Sequence, residues 1–263
     1  MIIDASTFTP NSPEVRRVVP ARGFLRGKLG PRVSYSGIVV HTTGAGVLAK
    51  AKRWGVMPLE AAVRVFSRQI DNCSHYVICG TTGDAVQIAP EERAARHVGA
   101  TRSDVYARPN WAGASWWKRA VKHDVLWWCE RWPDLKRPYD LADGQLWMPP
   151  DGGARTCNGN TIGIEIVPRM ADPQGPWTDA CWGTLLYLIQ DICIRRLVPQ
   201  NRNHIITHSD AHPVTRTSHN RPWDPGPRQW DWDTWTYYAG ERFRPPVPKP
   251  KPRAKPPAIP RTR

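Results

Sequence analysis

Two histidines and one aspartate stand at points where the surrounding sequence would hold them still. His41 closes the apolar run GIVVH before the polar HTTG, and His208 closes HIITH before SD. Asp224, sixteen residues beyond His208, lies in RPWDPGP between two turn-forming dipeptides. Strand ends are where a sheet hands side chains to loops, and sites gather there. Two imidazoles and one carboxylate suit a catalytic zinc, which takes three protein ligands and keeps a fourth position open. Pro222 on one side of Asp224 and Pro225-Gly226 on the other restrict the loop, so the carboxylate reaches a metal at little ordering cost. His212 and His219 share this segment and compete with Asp224 for the third ligand position.

A metal of this kind needs a proton acceptor beside it. In TIGIEIV, strand alternation sends Ile162, Ile164 and Ile166 to one face and Gly163, Glu165 and Val167 to the other. Glu165 is thereby separated from the greasy face and can face a cleft.

The elements that must position these residues are legible in outline. SGIVVH (36–41), TIGIEIVP (161–168) and NHIITHSD (203–210) read as strands, and SHYVICGTTGDAVQIAP (74–90) as a hairpin around a glycine-containing turn. PLEAAVRVFSRQ (58–69) has a proline where a first helical turn tolerates it and apolar residues at helical spacing. TDACWGTLLYLIQDICIRRL (178–197) is a second helix, with Arg195 and Arg196 at the end where the helix dipole favours cations. Strands alternating with helices, plus one hairpin, predict an α/β fold: a central mixed sheet flanked by helices.

Residues 1–35, without periodicity, read as an N-terminal arm, and residues 36–240 as the domain. Within it, 103–158 stands apart as a Trp-rich insertion: seven of the fourteen tryptophans fall between Trp111 and Trp147. There Trp117, Val121, Val125, Trp128 and Trp132 form one stripe of a helix, a pattern suited to packing and also to stacking on sugar rings or a partner. Residues 241–263 are a Pro/Lys/Arg-rich tail expected to be unfolded. Eight of its residues are prolines and eight are Lys or Arg with no acid after Glu241, so residues 242–263 hold +8 of the net charge of +14.

The pI near 9.9 raises nucleic-acid binding, but no nucleic-acid fold motif accompanies it and the charge is concentrated in the tail. Another anionic polymer, bearing phosphate or carboxylate groups, is an equally good target for that tail. The opening residues lack the pattern of a secretory signal, and no run approaches the ~20 apolar residues that span a bilayer, so the expected location is cytoplasmic when made. The six cysteines form no Cys-x-x-Cys pair and fit reduced core thiols.

HTT at a strand end, SHYVI, RHVG, TIGIEI, THSD and WDPGP follow one another in an order that resembles the zinc-dependent N-acetylmuramoyl-L-alanine amidases, a group including phage endolysins and peptidoglycan recognition proteins. The likeness runs from about Val33 to Tyr238, leaving out most of 103–158. It implies zinc ligands at His41, His208 and Asp224, Glu165 as general base, and peptidoglycan as substrate, cut between N-acetylmuramic acid and L-alanine. It implies His75 and His97 at the rim of the site, as groups touching substrate or supporting the ligands.

Three departures accompany the resemblance. Where the family often has a lysine two residues before the last ligand, this chain has Pro222, and Arg221 is the cation expected to meet the oxyanion, with His219 a rival donor. His212 and His219 remain rival ligands. Some phage members place a tyrosine just before the histidine of the second strand; here Ser74 stands there, and Tyr76 has the opposite strand parity to His75. A phage-type enzyme of intact wall is the expected role, with a cytoplasmic muropeptide-recycling amidase and a non-catalytic peptidoglycan binder as alternatives.

Overall fold

The computed structural model describes residues 9–26, 29–31, 35, 37–69, 73–98, 157–200, 204–208, 224–226, 228–230 and 235. The Trp-rich segment up to residue 156 and the basic tail lie outside these residues, as do Arg221, His212 and His219.

The described strands are β1 (Arg17–Val18), β2 (Gly37–Thr42), β3 (Tyr76–Cys79), β4 (Ala85–Gln87), β5 (Thr161–Val167) and β6 (Ile205–Thr207), and the helices are α1 (Arg22–Leu25), α2 (Ala45–Trp54), α3 (Pro58–Arg68) and α4 (Asp179–Arg196). The strands form one sheet in the order β1-β4-β3-β5-β2-β6. Only the β3/β4 hairpin pairs antiparallel; β5, β2 and β6 run parallel side by side. The sheet is therefore mixed and covered by helices on both faces.

Burial on both faces explains the near-continuous apolar runs in the central strands. All seven residues of β5 and the first five of β2 are buried. One face carries Ile38, Val40, Ile162, Ile164 and Ile166 against Trp182, Leu185 and Ile189 of α4. The other carries Val77, Val86 and Val167 against Val47 and Ala51 of α2 and Ala61 and Ala62 of α3. Val39, Ile206 and Val98 make a third, smaller cluster on the α2/α3 side.

Local chemistry fixes the helix ends. Thr178 caps α4 by accepting the Cys181 N–H, and Gly55, at φ 62, closes α2 in the left-handed conformation that glycine adopts without penalty. The helix α2 was not anticipated, because AGVLAKAKRW follows directly on the polar strand end and begins with glycine-rich sequence. The stretch before residue 36 is more than a lead-in arm: β1 pairs with β4, and Val15, Ala21, Phe24 and Leu29 are buried.

One buried charge ties the hairpin to α4. Glu91, fully buried, accepts from Tyr76 Oη at 2.5 Å, from both terminal nitrogens of Arg195 at 2.8 Å, and from Arg196 Nε at 2.6 Å. Burial alone would raise its carboxyl; the hydrogen bonds from Arg195, Tyr76 and Arg196 outweigh it and bring it down from 4.5 to about 2. A depressed carboxylate contributes stability that is present above its unfolded pKa and lost as pH falls through the folded one. Stability should therefore drop between about pH 4.5 and pH 2, by about 3 kcal/mol from this group. In denaturant titrations, Glu91→Gln should lose most of that acid limb and be less stable at pH 7, where Arg195 and Arg196 lose the buried carboxylate they share and keep only Asp191 and Glu92.

Candidate metal centre and active site

Parallel pairing brings the site together. His41 stands directly opposite Glu165 in the β2/β5 register, and β6 pairs with β2 on the other side, so His208, the residue after β6, arrives beside His41. Three neighbouring strands thus end at one place, on the α2/α3 side of the sheet. His41 and His208 are 1% and 2% exposed, and Glu165 9%.

Asp224 enters from the C-terminal segment. The Asp224–Pro225 peptide bond is cis. Beyond it the chain turns tightly: Gly226 O accepts the N–H groups of Gln229 and Trp230, and the Gln229 side chain accepts from Gly226 N at 3.0 Å and donates to Pro173 O at 2.9 Å. Trp230 then packs into the core, its ring 5.4 Å from Trp182 and 5.3 Å from Trp235, with Trp177 joined to Trp182 at 5.3 Å. Aromatic contacts of this kind contribute roughly 0.5–1.5 kcal/mol each beyond area burial, enough to anchor the loop to the α4 face.

The ligand atoms converge. His41 Nδ1 lies 2.9 Å from His208 Nδ1, and His208 Nδ1 lies 2.7 Å from Asp224 Oδ2. Asp224 Oδ2 is 3.9 Å from His41 Nδ1, while Asp224 Oδ1 accepts the Thr42 N–H at 2.5 Å. One atom from each of His41, His208 and Asp224 lies within 4.8 Å of the others, and all three residues are buried. Burial by itself would raise the Asp224 carboxyl. The imidazole of His208, by charge and hydrogen bond, and that of His41 outweigh it and hold the carboxyl well below the usual carboxylate range.

Two nitrogens and a carboxylate oxygen, all aimed at one point, form the donor set that zinc and similar divalent ions take, so the residues fit a metal. Glu165 Oε1 is 4.0 Å from His41 Nδ1, beside the ligand group rather than in it. Of the sequence-predicted residues, His41, His208, Asp224 and Glu165 come together here; Arg221 lies outside the described residues.

His75 is corrected. It was expected at the rim, but it is fully buried between strands: Nδ1 accepts from Gly163 N at 2.9 Å and Nε2 donates to Arg93 O at 2.9 Å. Both ring nitrogens face the main chain, so this histidine joins β5 to the loop around residue 93. His97, 7% exposed, sits behind His41, with Nδ1 at 3.0 Å from His41 Nε2. Tyr76 points to the opposite face, toward Glu91, as its strand parity requires.

Sequence reasoning missed Thr42, whose backbone orients Asp224, and Asn158. Asn158 Oδ1 accepts from the N–H groups of His97 and Val98 at 2.9 and 2.8 Å. No pattern in the sequence marks Asn158; the signal for Thr42 is its place after a candidate ligand at a strand end.

The family model for N-acetylmuramoyl-L-alanine amidases matches residues 31–227, and the chain belongs to that family. Similar solved structures include a mutant of PlyL (12% identity, TM-score 0.43, 86% of this chain and 96% of that one). They also include the endolysin amidase LysCS from Clostridium intestinale (11% identity, TM-score 0.40, 87% and 96%). A third is the N-acetylmuramyl-L-alanine amidase AmiD from E. coli, in complex with an anhydro-N-acetylmuramic acid peptide (16% identity, TM-score 0.43, 90% and 65%). A search of the curated proteins found no match. Among the described residues, no helix is long and apolar enough to cross a membrane.

Metal analysis of the purified protein should find about one zinc per chain, and His41→Ala and Asp224→Ala should each lose it while His75→Ala loses stability first. Full zinc retention in either of the first two variants would remove that residue from the ligand set.

Proposed function

We propose that the protein is a zinc-dependent hydrolase of the amide bond between the lactyl group of N-acetylmuramic acid and L-alanine in peptidoglycan. The observation that carries this reading is the buried convergence of His41, His208 and Asp224 with Glu165 alongside, in a chain of this family. Bound between the three ligands, zinc would supply Lewis acidity toward the scissile carbonyl and toward water.

The chain's own residues account for the rest of the chemistry. Glu165 lies close enough to the ligand group to take a proton from the attacking water and deliver it to the nitrogen of L-alanine as the C–N bond breaks. The products are the muramic carboxylate and a free amine. Asp224 enters ionised, its second oxygen held by the Thr42 N–H, so no proton need leave it before a metal binds. Arg221, three residues before Asp224, is the cation assigned to the negative charge that develops on the carbonyl oxygen.

A non-catalytic peptidoglycan binder has no use for a carboxylate in the place that Glu165 takes. Within the amidase reading we infer intact wall, as for a phage endolysin, as the substrate, because the eight-cation tail suits the phosphate- or carboxylate-bearing polymers of a cell wall. A recycling enzyme for small fragments gains nothing from such a tail.

Mass analysis of murein digests, with and without chelator, should show a new free amino group on L-alanine that chelator abolishes. Glu165→Gln should keep its metal and lose roughly 10²-fold or more in turnover. Cleavage at any other bond, or near-normal turnover in this variant, would overturn the assignment. Arg221→Ala should lower kcat more than it raises KM, since the charge it meets is absent from the ground state. Removing 242–263 should weaken binding to whole sacculi in a salt-dependent way and leave hydrolysis of soluble muropeptides unchanged.

A further inference from the structure

We propose that His97 is a positioning residue that decides which ring nitrogen of His41 is presented to the metal, and that Gly163 and Asn158 are built to hold it in place. The inference rests on the metal reading of the site given above.

The shorter of two contacts at His97 Nε2 sets the direction of a chain of hydrogen bonds. His97 Nε2 lies 3.1 Å from the carbonyl oxygen of Thr161, which can only accept, and 3.3 Å from the Thr161 hydroxyl, which can accept as well as donate; a hydrogen on Nε2 is the one arrangement that satisfies the carbonyl contact. In the neutral ring Nδ1 is then an acceptor, and it faces His41 Nε2 at 3.0 Å. His41 must donate from Nε2, which leaves the lone pair on its Nδ1. That is the atom turned toward His208 Nδ1 and Asp224 Oδ2. With the opposite tautomer at His97, His41 would accept at Nε2 and aim an N–H into the ligand group, where no metal could replace it without first moving the proton. The backbone carbonyl of Thr161 is thus the fixed reference for the whole chain, because a main-chain oxygen in a strand cannot reverse its role.

The surroundings are shaped for this ring. Gly163 stands on the same strand face as Glu165, and a Cβ there would sit 2.5 Å from His97 Cγ, 2.7 Å from its Nδ1 and 2.7 Å from Ser74 Oγ. Any side chain at 163 would push the imidazole away from His41. Asn158 grips the backbone at the same point: besides accepting from His97 and Val98, it donates from Nδ2 to Val98 O at 2.7 Å. His97 is therefore located by its main chain, by the gap over Gly163 and by the bond to Thr161. A histidine serving only as filler requires none of the polar partners.

The test measures zinc affinity by competition with a chromophoric chelator, the absorption spectrum of the cobalt-substituted protein, and thermal unfolding of the metal-free protein. His97→Ala should bind zinc 10- to 100-fold more weakly, the usual cost of removing an orienting partner, and alter the cobalt spectrum. His97→Asn, whose side-chain oxygen takes the place of Nδ1, should recover most of the affinity. Gly163→Ala should weaken zinc binding with all three ligands and His97 intact, which keeps the test available if His97→Ala folds poorly. Wild-type affinity in His97→Ala or Gly163→Ala would overturn the inference. So would equal losses in His97→Ala and His97→Asn that track a lowered metal-free melting temperature, since that pattern means packing alone. If the unaltered protein binds no zinc, the metal reading itself fails; if it binds zinc and cleaves murein while His97→Ala binds as tightly, only this inference fails.

Discussion

A buried carboxylate that stays ionised is the constraint around which the rest of the structure is arranged. Asp224 is 7% exposed, and an isolated charge in such a place would cost several kcal/mol or be neutralised by a proton. It stays charged because two imidazoles and a backbone N–H are directed at it. Those partners come from two different strands, and Asp224 itself comes from a third segment near the other end of the chain. The cluster exists only when the sheet is in register and the C-terminal loop is docked, so assembly of the candidate ligand set and completion of the fold are one event.

The two halves of the set are held by different physics. His41 and His208 ride on parallel strands whose register is enforced by isoleucines and valines on the α4 face; a slip of one residue would turn His41 to the wrong side. Asp224 has no strand to fix it. Its loop is held by the Gln229 clamp and by Trp230 set among Trp177, Trp182 and Trp235. The aromatic cluster on the α4 face therefore positions a candidate ligand on the opposite side of the sheet, and a change there would reach the candidate site without touching it.

What could be read from sequence follows the same division. The strands β2 and β5, the hairpin, and the helices α3 and α4 announce themselves by period, and the strand-end rule located His41 and His208. The alternation in TIGIEIV placed Glu165 on the correct face, and strand parity correctly turned Tyr76 away from the site. The role of His75 was not legible. A histidine beside a catalytic strand looks alike whether it meets substrate or a neighbouring main chain, and only the pairing of β3 with β5 reveals that both its nitrogens face backbone. The edge strand β1 escaped notice because two residues carry no period, and α2 because its glycine-rich start reads as a continuation of the loop.

Strand β5 departs from the pattern of a core element on the face that carries the candidate site. One face, Ile162, Ile164 and Ile166, is as apolar as a strand can be and meets α4. The other gives up a side chain at Gly163 and buries a carboxylate at Glu165, both unfavourable in a strand interior. These departures are adjacent in space: the missing side chain admits His97, His97 backs His41, and His41 stands opposite Glu165. A strand that only had to be stable would carry valine or isoleucine at both positions. The larger buried apolar cluster lies on the α4 face, opposite the candidate site.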